Sequence, residues 1–188
     1  MQALPESILT IFITFRSNIV DEDMIKKKKI TISYMEAENQ SGLDEETKEM
    51  IEAARNSALN AYAPYSRFRV GAAVKLESGR IVCGTNVENA AFPSGICAER
   101  NALSYAVSNY SDDKPVAIAI AAMTDEGLTE EPVTPCGNCR QVIAEEESRN
   151  GKNIKIILSG KDKTLITGSV ADLLPLQFRK NNLKINLP

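Results

Sequence analysis

Three of the four cysteines of this 188-residue chain fall where helical patterns begin: Cys97 in Cys97-Ala98-Glu99-Arg100, and Cys136 with Cys139 in Pro135-Cys136-Gly137-Asn138-Cys139-Arg140. A helix N-terminus presents unpaired amide N–H groups and a partial positive charge. Both lower a thiol's pKa, so thiolate becomes available near neutrality. The spacing of Cys136 and Cys139 lets both sulfurs approach one ion, with Gly137 easing the tight turn between them. Taken alone, this C-x-x-C pair fits half of a structural zinc site, a redox pair or coincidence equally well. With Cys97 the ligand count becomes three, which leaves one tetrahedral position open, as in a zinc that works on bound water rather than one that only staples a fold. Cys83 is the one remaining cysteine that would close the set. Within the strand-like Ile81-Val82-Cys83-Gly84 it reads instead as a buried apolar thiol.

Glu99 stands two residues after Cys97, near enough to face a metal-bound water without ligating the metal. The chain has no histidine, which excludes Ser-His-Asp and Cys-His triads, the H-E-x-x-H helix and any imidazole-ligated metal. Proton transfer therefore falls to carboxylates, thiols, lysines or tyrosines. Burial beside the site would raise the Glu99 pKa toward a working range. Three thiolates also leave a zinc centre net negative, which resists ionising its water. Arg100 and Arg140, each one residue after a ligand, and the two helix N-termini are the groups available to offset that charge. Read singly, Glu99 is a surface residue of a first helical turn and the two arginines are solvated.

The rest of the composition is that of an ordinary globular protein, 43% apolar and 25% charged. With 22 Lys+Arg against 25 Asp+Glu, the net charge of −3 does not suggest a nucleic-acid partner. The single basic run, lysines 26–29, reads as a solvated tail. The apolar stretch 8–15 is far short of the roughly 20 residues that span a bilayer. It also lacks the basic flank and cleavage site of a signal peptide. A cytoplasmic location without a membrane partner is the expectation, and in that reducing compartment the cysteines read as ligands sooner than as disulfides.

The elements that would hold these residues follow from periodicity. Residues 1–43 show no sustained period and read as a weakly structured N-terminal extension, within which Met24 is an alternative start; a single domain is expected over 44–188. Asp44 is a candidate N-cap for a helix with apolar positions at Met50, Ile51, Ala54 and Ala58. Strands are expected at 69–76 and 81–85, joined as a hairpin, then at 116–122, 154–158 and 165–167. Helices are expected from Cys97 and Cys136 onward, with a short one at 171–174. The all-apolar 116–122 suits a strand covered on both faces. Helices between strands imply an α/β class, three-layer α/β/α, with a mixed five-stranded sheet.

At these residues the chain resembles the zinc-dependent cytidine deaminases, specifically the small homotetrameric type with three cysteine ligands. The resemblance runs from about Asp44 to Phe178 through A-Y-A-P-Y-S-R-F-R-V-G-A-A, G-T-N-V-E-N-A-A-F-P, I-C-A-E-R, P-C-G-N-C-R-Q-V and A-D-L-L-P-L-Q-F. It implies a cytidine deaminase-like fold and one Zn²⁺ per subunit on Cys97, Cys136 and Cys139. It also implies hydrolysis of cytidine and deoxycytidine to uridine and deoxyuridine plus ammonia, by attack of zinc-bound hydroxide at C4 with Glu99 as proton carrier. The alternatives are a deaminase of another aminopyrimidine nucleoside or of a polynucleotide, or a structural zinc module.

By the same resemblance, Asn86 and Glu88 hold the ribose, with Glu88 accepting from the 3′-hydroxyl. Phe68 and Ala98 line the pocket, Phe178 reaches a neighbouring subunit's site, and Arg100 supports the metal ligands. Without it, Asn86 is a turn asparagine, Glu88 an exposed carboxylate, and Phe68 and Phe178 core aromatics. A carboxylate at the ribose 3′-oxygen would repel the 3′-phosphate of an internal nucleotide, which favours a free pyrimidine nucleoside over a strand. No phosphate cradle is present either, since Gly160-Lys161 is followed by Asp162 and position 155 is Lys155. Phe92, where relatives often carry tyrosine, is the departure nearest the pocket.

Overall fold

The computed structural model describes residues 26–183; the stretch 8–15 and Met24 lie outside them. The chain divides into Met1–Thr31 and Ile32–Pro188. Residues 26–31 are exposed and carry no regular element. The second unit is built on one sheet of seven strands: β1 (Met35–Ala37), β2 (Arg69–Leu76), β3 (Ile81–Thr85), β4 (Pro115–Thr124), β5 (Gly127–Leu128), β6 (Lys155–Ser159) and β7 (Thr164–Thr167). The spatial order is β1-β7-β6-β4-β2-β3, with β5 paired to the end of β4. Only β4 and β6 run parallel; the other pairs are antiparallel.

The five expected strands are the core of this mixed sheet. The two additional ones correct the expected count, and β1 lies inside the stretch expected to be weakly structured, where Met35–Ala37 pairs with Thr164–Ile166. Strands of three and two residues are too short to show a period of two, so neither announces itself in the sequence. The expected short helix near 171 is a single 3₁₀ turn, Val170–Asp172.

Among the described residues, three helices cover the sheet: α1 (Glu45–Ala58), α2 (Ala98–Asn109) and α3 (Gly137–Asn150). Strand alternation sorts the core into two layers. Met50, Ile51 and Ala54 of α1 pack on Ala73, Ala117, Ala119, Ala121 and Ile157. On the other face, Ala98, Ala102, Leu103 and Ala106 of α2 and Ile143 and Ala144 of α3 meet Ala72, Val74, Val82, Ile118, Ile120 and Ile156. The result is the expected α/β/α layering, one helix against two.

Each helix start is explained locally. Asp44 caps α1, its side chain accepting from the Thr47 N–H at 2.6 Å, and Glu45 and Glu46 sit in the first turn, where the helix dipole favours them. Helices α2 and α3 begin differently. Their N-cap residues are Cys97 and Cys136, and neither side chain makes a capping hydrogen bond. A cysteine where Ser, Thr, Asp or Asn would stabilise the helix gives up about 1 kcal/mol, so these sulfurs are placed for another purpose. Gly84 sets how closely α2 approaches the sheet, because a Cβ there would lie 2.4 Å from the Ala102 nitrogen.

Candidate active site

The N-termini of α2 and α3 bring three sulfurs together. Those of Cys97, Cys136 and Cys139 all lie within 4.8 Å of one another, with Cys136 and Cys139 3.5 Å apart. Tetrahedral thiolates about 2.3 Å from one zinc ion would sit roughly 3.8 Å apart, so the donor set fits zinc in number, softness and spacing. Cys83 is not among them. Its sulfur faces Ala53 of α1, on the opposite side of the sheet from α2. It is also exposed, a correction to the buried thiol expected, because β3 is an edge strand that α1 covers only in part. The ligand set is therefore three.

The electrostatics of the cluster favour a cation. Burial pushes the Cys139 thiol well above the usual value, with the Glu99 charge and the neighbouring sulfurs adding to the shift. Burial raises Cys97 as well. For Cys136 burial is outweighed by the nearby backbone N–H groups of Cys139 and Asn138 and by the neighbouring thiols, and its pKa falls below that of an ordinary thiol. Three sulfurs this close do not ionise together without a compensating charge, and a bound dication supplies it.

Glu99 is buried, only 6% exposed, and burial raises its carboxyl above the ordinary glutamate value. It lines a cavity of about 700 Å³ together with Cys97, Cys136, Ala98, Phe68, Asn86 and Glu88. Seven residues singled out from sequence thus share one space, whose volume suits a small organic ligand. Cys139 is fully buried outside its lining. Two further candidates are absent from the lining. Phe178 is 57% exposed and its carbonyl accepts from Gln141 Nε2. Arg100 is half-buried, and no hydrogen bond or ion pair joins it to another described residue.

Arg140, by contrast, braces the approach to Cys136. Its guanidinium donates to the carbonyls of Pro135 and Leu173, both at 2.7 Å, and to the Thr134 hydroxyl at 3.2 Å. It is neither a free surface cation nor a contact of the sulfurs.

Part of the cavity lining is a loop stitched on two sides. Val87 exchanges backbone hydrogen bonds with Ile96, the residue before Cys97, while Glu88 N–H donates to Tyr62 C=O at 2.8 Å. Asn86 faces the protein: its Oδ1 accepts from Val70 N–H at 2.7 Å and its Nδ2 donates to Phe68 C=O at 2.9 Å. Glu88 accepts from the N–H groups of Tyr65 (2.8 Å) and Ser66 (3.3 Å) and from the Ser66 hydroxyl. The Ser66 hydroxyl hydrogen bond, ahead of the two backbone bonds, lowers the Glu88 pKa and keeps the carboxylate ionised. Sequence reading missed Tyr65, Ser66, Val133 and Thr134 in this lining. The last two sit in a long loop without period, and the first two act largely through backbone groups that any residue provides.

Comparison with known proteins agrees with this geometry. Residues 44–151 match the family described as the cytidine and deoxycytidylate deaminase zinc-binding region. The chain is 38% identical over 134 residues to the cytidine deaminase of Halalkalibacterium halodurans, covering 71% of this chain and 95% of that protein. It is 41% identical over 138 residues to that of Sporosarcina psychrophila, covering 73% and 95%. The crystal structure of cytidine deaminase from Burkholderia pseudomallei superposes with a TM-score of 0.59 at 38% identity, covering 70% of this chain and 98% of that one. The three-cysteine cluster, the buried glutamate beside it and these matches together establish that the chain belongs to the cytidine deaminase family.

Proposed function

We propose that the protein hydrolyses free cytidine and deoxycytidine to uridine and deoxyuridine with release of ammonia. One observation carries this reading: a single cavity is lined both by two of the three clustered cysteines with the buried Glu99 and by an ionised, hydrogen-bonded carboxylate, Glu88. The first set suits hydrolysis at a ring carbon. The second suits a sugar hydroxyl.

Cys97, Cys136 and Cys139 would hold the zinc, which when bound supplies Lewis acidity and makes water a nucleophile near neutrality. Glu99 carries the protons. Its raised pKa, a consequence of burial, brings the carboxyl toward the range where it both accepts and donates, first to pyrimidine N3 and then to the departing amino group. Phe68 and Ala98 confine the base, and Glu88 accepts from the ribose 3′-hydroxyl. A 3′-phosphate at that place would meet a negative charge, which disfavours a polynucleotide. Arg100 offsets part of the charge of the thiolate cluster, and Phe178, exposed on its own subunit, reaches the cavity of another in a homotetramer.

The test follows the cytosine-ring absorbance of cytidine, deoxycytidine, CMP and single-stranded DNA with zinc-loaded protein. Turnover of both free nucleosides with little on the strand is expected. Absence of turnover on either nucleoside overturns the proposal.

A further inference from the structure

We infer that Ser66 is a positioning residue that fixes how Glu88 meets its ligand, leaving it able to take one hydroxyl donor. The inference rests on the reading of Glu88 as a sugar-hydroxyl acceptor. An ionised carboxylate has about four lone-pair positions. In Glu88, Oε2 receives the N–H groups of Tyr65 at 2.8 Å and Ser66 at 3.3 Å, and Oε1 receives the Ser66 hydroxyl. Three of the four positions are filled by the protein. The one left is on Oε1, and its direction is set by the Ser66 hydroxyl on the same atom.

The Ser66 oxygen is itself held, since it accepts from the Phe68 N–H at 3.0 Å. One hydroxyl therefore ties together the carboxylate and the backbone of the aromatic residue that lines the same cavity. The turn between them is fixed by the backbone: Arg67, at φ 57°, adopts the left-handed conformation that side chains other than glycine rarely take, and its N–H donates to Ala63 C=O at 3.0 Å. Arg67 holds the path of the turn while Ser66 supplies the contact. Asn86 has no corresponding freedom, because its amide is bonded on both sides to backbone, so orientation of the acceptor falls to Ser66.

Removing the hydroxyl in Ser66→Ala leaves the charge of Glu88 and its two N–H bonds but frees Oε1 to rotate. The cost appears in binding. A hydrogen bond to a charged group, partly compensated by the remaining two, corresponds to about a tenfold rise in KM with kcat within about twofold of wild type. Ser66→Thr, which retains the hydroxyl, recovers most of the loss.

The experiment measures KM and kcat for cytidine and 3′-deoxycytidine with wild type, Ser66→Ala and Ser66→Thr, with melting temperature and zinc content checked for each. The expected result is a tenfold KM penalty for Ser66→Ala on cytidine that disappears on 3′-deoxycytidine, where the hydroxyl read by Glu88 is missing. An equal penalty on both substrates, a loss confined to kcat, or no recovery in Ser66→Thr overturns the role of Ser66 while leaving Glu88 in place. A wild-type enzyme that handles the two substrates alike overturns the reading of Glu88 and the inference with it.

Discussion

The two parts of the cavity lining, one sulfur-bearing and one carried on a loop, are held by different physics. In the sulfur-bearing part, positions come from helix starts: Cys97 and Cys136 are the N-cap residues of α2 and α3, Cys139 and Glu99 lie in the first turns, and packing against the sheet fixes both helices. In the other part, Glu88 and Asn86 lie on a loop and are positioned by hydrogen bonds to backbone groups. Glu99 is buried, with its carboxyl raised by that burial. Glu88 is only half-buried, with its carboxyl lowered by the Ser66 hydroxyl. The same functional group is thus tuned in opposite directions within one cavity. A proton carrier gains from a pKa near the working range and a hydroxyl acceptor gains from staying charged, so the environments match the tasks proposed for the two carboxylates.

The largest effect expected is in the sulfur-bearing part. Cys139→Ala removes a fully buried ligand, and metal analysis should find bound zinc and turnover both lost. Cys83→Ala, on the other face of the sheet, should keep both. Loss of zinc in Cys83→Ala would mean a fourth ligand and a closed structural site, and the contrast between a reactive and a binding part would collapse. Glu99→Gln comes next. It retains shape and hydrogen-bonding reach but cannot shuttle protons, so kcat should fall about a thousandfold, within the range for removal of a general acid–base group. KM, zinc content and melting temperature should change little. Activity within tenfold of wild type would remove Glu99 from the chemistry.

The difference between the two parts also decides what could be read without a structure. Cysteines at helix starts break a local rule, because N-caps are normally Ser, Thr, Asp or Asn, and a broken local rule is visible in one dimension. The three ligands, Glu99 and the helices that carry them were therefore legible. So were the five longer strands, each of four residues or more. Strands β1 and β5 were not, being too short to repeat an alternation. Cys83 was misjudged because burial was inferred from its strand, whereas its exposure depends on β3 lying at the sheet edge, a fact of topology. The clasp of Glu88 was hidden for a further reason: two of its three donors are backbone N–H groups, which leave no trace in residue type. The bridges of Val87 to Tyr62 and Ile96 are equally silent. Arg140 was legible only as a charge beside a ligand; that its guanidinium is engaged by the carbonyls of Pro135 and Leu173 was not.

The smallest effect expected separates two residues of the loop-borne part that the family resemblance treats alike. Asn86 and Glu88 both line the cavity, but the Asn86 amide bridges Val70 N–H and Phe68 C=O. In Asn86→Ala those two partly buried backbone groups lose their partners. Each group left without a partner costs about 1–3 kcal/mol, with water recovering part of it at this half-open position, so a net loss of about 2 kcal/mol is expected. For a chain of this size that lowers the melting temperature by about 4–8 °C. Glu88→Gln keeps a carbonyl oxygen for the N–H donors and lies at a partly solvated position, so its melting temperature should stay within about 1 °C of wild type while its KM for cytidine rises. Two variants two residues apart would then divide cleanly, one reporting on the fold and the other on the ligand. If Asn86→Ala instead raised KM at unchanged melting temperature, the second N–H and lone pair of the amide would be serving the substrate, and the cavity would hold two sugar contacts.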